Sequence, residues 1–383
     1  MDLVPDPEGL LNYPAYARII PRIAGLLSLL GSVLIAYDLV SRKRLAKVHH
    51  RILFGMSLAD IVSSICTVLG RIPVVRDDEV FPGYGNQVSC TTQGFLYQSV
   101  LAVLSYNLCL AIYYVLLVCY NWTEPQIARF ERAMHLCSVG VFLGSAITLA
   151  SLRMFNPDYF VCFIQSSPAG CVEDCDRGGH PSEYRWAFFY GPAWTMIVCI
   201  TVLMLLLYYT VWKQERRMDQ FVFGVQPASS NLTTARRGKG QQQQQPSATQ
   251  SNTDNTSAEL TPGSKPLRST IQAQTPSYVL SRRVAVQGLL YTVPFYVTWI
   301  FPLAAHALGP TWIGQHGQPL LILVAIFLPL QGLGNGLVYA RPLLLQQWEK
   351  RKERSTTAAV TTSPATTTTH STSGPIRREA SHV

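Results

Sequence analysis

The sequence predicts an all-α membrane protein: a bundle of seven transmembrane helices with a short amphipathic helix after the last. Three observations predict it. Charged residues are only 14% of the 383 while 48% are hydrophobic, and an ordinary soluble domain carries roughly a quarter charged. Apolar runs fall at about 19–41, 50–70, 93–119, 133–152, 186–212, 284–305 and 319–340, seven in all, each near the ~20 residues that cross a hydrocarbon core of about 30 Å. Basic residues, finally, collect in alternate connections between those runs. Inside lipid every run is expected to be helical, because nothing there hydrogen-bonds an open backbone.

The basic connections set the expected orientation, since cytoplasmic loops gather Lys and Arg. One side holds Arg42, Lys43, Arg44, Lys47 and Arg51, then Arg129 and Arg132, then Lys213, Arg216, Arg217, Arg282 and Arg283, and last Lys350, Arg351, Lys352 and Arg354. The other side holds Asp2, Asp6, Glu8, Asp77, Asp78, Glu79, Glu173, Asp174 and Asp176. Every lysine lies on the basic side. A multi-pass protein is therefore expected in the plasma membrane, with the N-terminus outside and the C-terminus in the cytoplasm. The net charge of +9 reads as this asymmetry and not as nucleic-acid binding.

Taken in order, residues 1–18 are polar and proline-containing, an expected short extracellular N-terminus without a cleavable signal. Helices one to five follow over 19–212. Residues 213–283 turn rich in Ser, Thr, Gln and Pro, with almost nothing to bury, so a disordered third cytoplasmic loop is expected. Helices six and seven occupy 284–340. In 341–354, LLLQQWEKRKER places Leu343, Leu344, Leu345 and Trp348 on one stripe among basic residues, which suits an amphipathic helix in the inner membrane interface. A disordered Ser/Thr-rich cytoplasmic tail is expected over 355–383. The sequons at Asn121, Asn231 and Asn255 fall on the basic side and are expected to be unglycosylated.

Nine cysteines divide by location. Cys66, Cys109, Cys119, Cys137 and Cys199 sit within helices, where cysteine behaves as a small apolar residue. Cys90, Cys162, Cys171 and Cys175 lie on the outer side, even in number and in an oxidising compartment. A Cys90–Cys162 bridge would tie the loop after helix four across the mouth of the bundle, leaving Cys171 and Cys175 to close a small ring. Pairing of Cys90 with Cys171 or Cys175 is the alternative at this level. No histidine lies nearby at metal-ligand spacing, so neither a metal nor a cofactor is expected.

Polar residues inside the membrane are few. Asp60 sits halfway along the second run, where an aspartate costs about 2.5–3.5 kcal/mol to insert and must face the bundle interior. Its candidate partners are Ser105 and Asn107 of the third run and Asn335 of the seventh. In PLQGLGNGLVYARP, Gln331, Asn335 and Tyr339 share one helix face at steps of four. Pro329 weakens the hydrogen-bond ladder above them, and Gly332, Gly334 and Gly336 permit close backbone approach. In YTVPFYVTWIFP, Pro294 is the expected hinge of helix six, with Tyr296 and Trp299 near an upper cavity. Such features read either as a structural hydrogen-bond knot or as a network that repacks when the bundle changes state.

At these residues the sequence resembles G-protein-coupled receptors, and among them the cyclic-AMP-receptor-like family, over about residues 19–350 without the third cytoplasmic loop. The resemblance rests on HHRILFGMSLADI, on Cys90 before helix three, on CFI at Cys162 and on PLQGLGNGLVY. The last is also similar to the Asn-Pro-x-x-Tyr switch of rhodopsin-like receptors, with Gly336 in the proline position. The resemblance implies an outer ligand cavity that controls an inner G-protein groove, and a Cys90–Cys162 bridge. Helix three departs from the pattern: it ends VLLVCYNW, without an Asp-Arg-Tyr triplet, so the resting state must be held differently. Cyclic AMP does not follow as the ligand. Beyond Arg18 and Arg22, the outer basic candidates are Arg71, Arg76, Arg153, Arg177 and Arg185, which serve equally as interfacial anchors.

The leading expectation is a receptor, not an enzyme, with an unknown extracellular ligand, a heterotrimeric G protein and membrane lipid as partners. Arg129, Arg132, Lys213, Arg216, Arg217, Arg282 and Arg283 would border the G-protein groove while also setting topology. A retinal-based light sensor would need a lysine in 319–340, which has none. A transporter or channel, the alternative, would call for more intramembrane charge than Asp60 and Asp38 supply. The scattered histidines form no catalytic constellation.

Overall fold

Each of the seven apolar runs becomes a helix long and apolar enough to cross a membrane. The structure, a computed structural model, describes residues 15–76, 83–158, 160–168, 171, 174–224, 285–308 and 318–361. The first fourteen residues, Asp77, Asp78, Glu79, Glu173, the loop 225–284 with Asn231, Asn255, Arg282 and Arg283, and the tail after Thr361 lie outside the described residues.

Helix α1 spans Ala15–Ser41 and passes through a 3-10 turn, Arg44–Ala46, into α2, Val48–Leu69. Gly70 ends α2 at φ 54°, its amide donating back to Cys66 O at 3.0 Å, a conformation that costs glycine little. Helix α3 combines Gln87–Tyr97 and Val100–Val118. Its start is a capping box: Ser89 N donates to Asn86 Oδ1 and Asn86 N to Ser89 Oγ, both at 2.9 Å. It is the most buried of the seven and packs against α2 and against the next two helices.

Helix α4, Glu124–Ser151, begins about two and a half turns before the apolar run at 133, so Arg129 and Arg132 lie on the helix instead of in a connection. The reason is packing: Ile127 is fully buried and the acids beside it find partners, so the polar first turns stay helical. A short antiparallel hairpin follows, β1 Phe155–Pro157 with β2 Cys162–Ile164.

Helix α5 runs through Pro181–Arg185, a π-helical turn Trp186–Tyr190, and Gly191–Gly224. Helix α6 spans Ala285–Leu308. Helix α7 is Gln318–Phe327, a 3-10 turn Leu328–Leu330 and Gln331–Thr361. The 3-10 turn surrounds Pro329, whose missing amide removes one rung of the ladder, as expected. Large apolar side chains such as Leu34, Leu136 and Leu205 face outward, which lipid favours.

The chain divides into two compact units, Met1–Val338 and Tyr339–Val383. The segment 341–354 is helical, within Gln331–Thr361. Leu344, Leu345 and Trp348 are exposed there, with Lys352 Nζ 5.5 Å from the Trp348 ring centre.

Candidate functional site

Asp60 is buried at the middle of α2, only 4% exposed. Its Oδ2 accepts from Ser32 Oγ at 2.7 Å, Ser28 Oγ at 3.1 Å and Ser64 Oγ at 3.4 Å. Ser28 and Ser32 are four apart on α1 and so share a face. Ser28 Oγ also accepts from the Gly332 amide of α7 at 2.8 Å. A Cβ at Gly332 would stand 2.1 Å from Asp60 Oδ2 and 2.2 Å from Ser32 Oγ, so only glycine lets α7 come this close. The knot therefore joins α1, α2 and α7.

The expected partners of Asp60 are engaged elsewhere. Ser105 Oγ donates to Ser138 Oγ of α4 at 2.9 Å, and Asn107 Nδ2 to Val103 O at 2.9 Å. Asn335 Nδ2 lies 3.9 Å from Met56 Sδ, one turn from Asp60 on α2. The aspartate points to α1, a choice of helix phase that residue type alone does not reveal. Tyr339 falls in the second unit.

Helices α6 and α7 are joined by Thr298 Oγ1, which donates to Gln331 Oε1 at 2.6 Å. Next to it Trp299 lines a cavity of about 30 Å³, together with Asp60, Ser63, Ser64, Thr67, Tyr97 and Gln331. Roughly 10–15 Å³ admits one water, so this space suits water or a very small group. The buried Gln331 Nε2 has no protein partner among the described residues. Pro294 packs against Gly334 of α7, and Tyr296 OH lies 2.7 Å from Thr201 Oγ1 of α5.

At one end of the bundle, the disulfide end, Cys90 bonds to Cys162 and Cys171 to Cys175. Gln93 Oε1 on α3 accepts from Cys162 N at 3.0 Å, holding the hairpin across the bundle. The π-helical turn brings an aromatic cluster under it: Phe163 and Phe189 at 4.9 Å, Tyr190 stacked on His306 at 4.2 Å, and Trp186 against His306 at 4.8 Å. Phe189 reaches Trp299 at 6.4 Å. Arg177 Nε donates to Asn156 Oδ1 at 3.0 Å, and burial beside the Arg153 charge pulls its pKa down. Arg185 Nη2 sits 3.5 Å from Asp158 Oδ2. These two arginines thus brace the hairpin.

At the opposite, basic end, two acids of α4 clamp its neighbours. Glu131 Oε2 accepts from Arg51 Nη2 of α2 at 2.6 Å and lies 3.7 Å, through Oε1, from His135 Nε2. His135 Nδ1 in turn is 3.1 Å from Tyr106 OH of α3. Glu124 Oε1 accepts from Tyr113 OH at 2.6 Å, and its Oε2 from Val48 N at 3.4 Å. Arg129, Arg132, Lys213, Arg216 and Arg217 are exposed here, with the Arg216 guanidinium 3.9 Å from the Trp212 ring centre.

Sequence reasoning missed Ser28, Ser32 and Thr298, the π-helical turn and the acid clamps. The clamps left a trace: acids seven apart on the polar start of α4, with a histidine four residues after the second.

The architecture is similar to that in the crystal structure of squid rhodopsin, with a TM-score of 0.53 and 12% sequence identity, covering 89% of this chain and 83% of that one. No family model matches the chain, and no curated protein matches it. At that identity the likeness establishes the fold: a multi-pass membrane protein built as a rhodopsin-like seven-helix bundle.

Proposed function

We propose that this protein is a G-protein-coupled receptor of the plasma membrane, turned with its disulfide end outside and its basic end in the cytoplasm. A ligand from outside would favour one packing of α6 and α7, and the population would shift toward the packing it binds best. The observation that carries the reading is the pair of buried links across the moving elements. Thr298 ties α6 to α7, and Gly332 ties α7 to the Asp60 knot, inside a seven-helix fold shared with a receptor.

In this reading Asp60, Ser105, Asn107, Gln331, Asn335 and Tyr339 are the switch residues, and Pro294 and Trp299 the hinge of α6. Arg129, Arg132, Lys213, Arg216, Arg217, Arg282 and Arg283 face the heterotrimeric G protein. The motif resemblance places the chain beside cyclic-AMP-receptor-like receptors without naming its ligand. The test is nucleotide exchange on a panel of Gα subunits by purified protein in lipid, across a broad ligand screen. Exchange with some Gα supports the reading, and silence across the whole panel sinks it.

A further inference from the structure

Helix α5 carries Gly191 and Pro192 directly after its π-helical turn. The Gly191 amide donates to Trp186 O, five residues back, which is the bond that makes the turn a π-turn. A Cβ at Gly191 would stand 2.7 Å from that same oxygen. Pro192 has no amide, so in an α-helix it would leave Phe188 O, four residues back, without a donor and press its ring against it. The π-turn relieves the crowding, and α3 supplies the donor: Gln98 Nε2 donates to Phe188 O at 3.0 Å. Gln98 is fully buried.

The turn decides which rings of α5 face α6. It lays Tyr190 flat on His306 and sets Trp186 edge-on against the same imidazole. These outer contacts are made by ring faces, and Trp186 is half exposed. About three turns toward the basic end, the two helices are joined instead by the hydrogen bond between Tyr296 OH and Thr201 Oγ1. The outer ends can therefore part while that lower link stays closed. A slip of one residue in the turn would swing its side chains through about 100° and carry both rings off His306.

We propose that Gln98 is the positioning residue for the outer turn of α5. Its amide holds the π-turn, the π-turn holds Trp186 and Tyr190 on His306, and the outer ends of α5 and α6 part when the amide is removed. A buried carbonyl left without its donor must turn toward water, and the turn that carries it moves with it. The inference stands apart from the receptor reading, within which this joint would shape the wall of the outer cavity.

The test places spin labels at Glu183→Cys and Leu308→Cys, exposed positions at the outer ends of α5 and α6. The full-length protein is used in lipid nanodiscs, with Cys119, Cys137 and Cys199 replaced by alanine. Gln98→Met keeps the length of the side chain and removes the amide. It is expected to add a population whose label-to-label distance is longer by about 5 Å, the rise of one helix turn. Should it fold poorly, Gln98→Glu keeps the shape while replacing the donor by an acceptor, and the same shift is expected. His306→Ala leaves the turn and removes its seat on α6, so it is expected to lengthen the distance as well. Pro192→Ala returns an amide four residues after Phe188; in that background Gln98→Met is expected to change nothing, whatever distance the background sets. An unchanged distance in the Gln98 variants or in His306→Ala overturns the proposal. So does a Gln98→Met shift that persists in full beside Pro192→Ala.

Discussion

Arg51 on α2 holds Glu131 on α4 through two guanidinium nitrogens, Nη2 donating to Oε2 at 2.6 Å and Nε donating to Oε1. The carboxylate side chain is 12% exposed and the arginine 33%. Stranding a buried charge costs about 3–5 kcal/mol, but this arginine is partly solvated, which lowers the figure to roughly 1–2 kcal/mol. Glu131→Ala is therefore expected to lower the midpoint of thermal unfolding in detergent. Arg51→Ala with Glu131→Ala together should cost less than the sum of the two. Strict additivity would show the pair to be uncoupled.

The Asp60 knot has no room to spare at Gly332. Adding a methyl there pushes on Oδ2 of Asp60 and Oγ of Ser32 at once, and overpacking of a tight contact costs about 1–3 kcal/mol. Gly332→Ala should destabilise the bundle more than Ser28→Ala, which removes a hydroxyl and leaves the helices where they are. Thermal unfolding of the two variants side by side decides the order.

Asp60→Asn keeps the volume and one acceptor oxygen while removing the carboxylate that three serine hydroxyls address. A hydrogen bond to a charged group is worth about 1.5–3 kcal/mol, enough to shift a two-state balance about tenfold or more. Signalling is expected to change by that order while surface expression stays close to the parent. Equal loss of both would make the knot purely structural.

The two disulfides should differ in weight. Cys90 and Cys162 are 72 residues apart and Cys171 and Cys175 only 4, and the stabilisation from closing a loop grows with its length. Replacing Cys90 and Cys162 by serine is expected to cost about 2–5 kcal/mol and to loosen the hairpin that Gln93 grips. Replacing Cys171 and Cys175 should leave thermal unfolding nearly unchanged. Equal shifts in melting temperature would contradict this ranking.

Much of this architecture was legible in the residues. The seven spans followed from scarcity of charge and run length, because a bilayer admits little besides apolar helices. The weak point at Pro329 followed from a missing amide, and the membrane burial of Asp60 from its place in the second run. The cysteine pairing narrowed only when the motifs were taken together.

Other features were decided in three dimensions. Ser105, Asn107 and Asn335 are all polar and near the right depth, yet Asp60 turns away from them toward Ser28 and Ser32. Serines on a lipid-spanning helix look the same in sequence whether they back-bond to their own turn or reach across to a neighbour. The start of α4 was likewise hidden, because Glu124 and Glu131 read as polar loop until Tyr113 and Arg51 are seen to satisfy them.

The amino-acid sequence by itself determined how many times the chain crosses the membrane and which ends of the spans carry the basic residues, since solvent preference acts residue by residue and needs no partner. Only the tertiary structure decided which face of each helix meets which neighbour. Rotation about a helix axis is set by packing and hydrogen bonds between distant segments, and one step along the chain turns a side chain through about 100°.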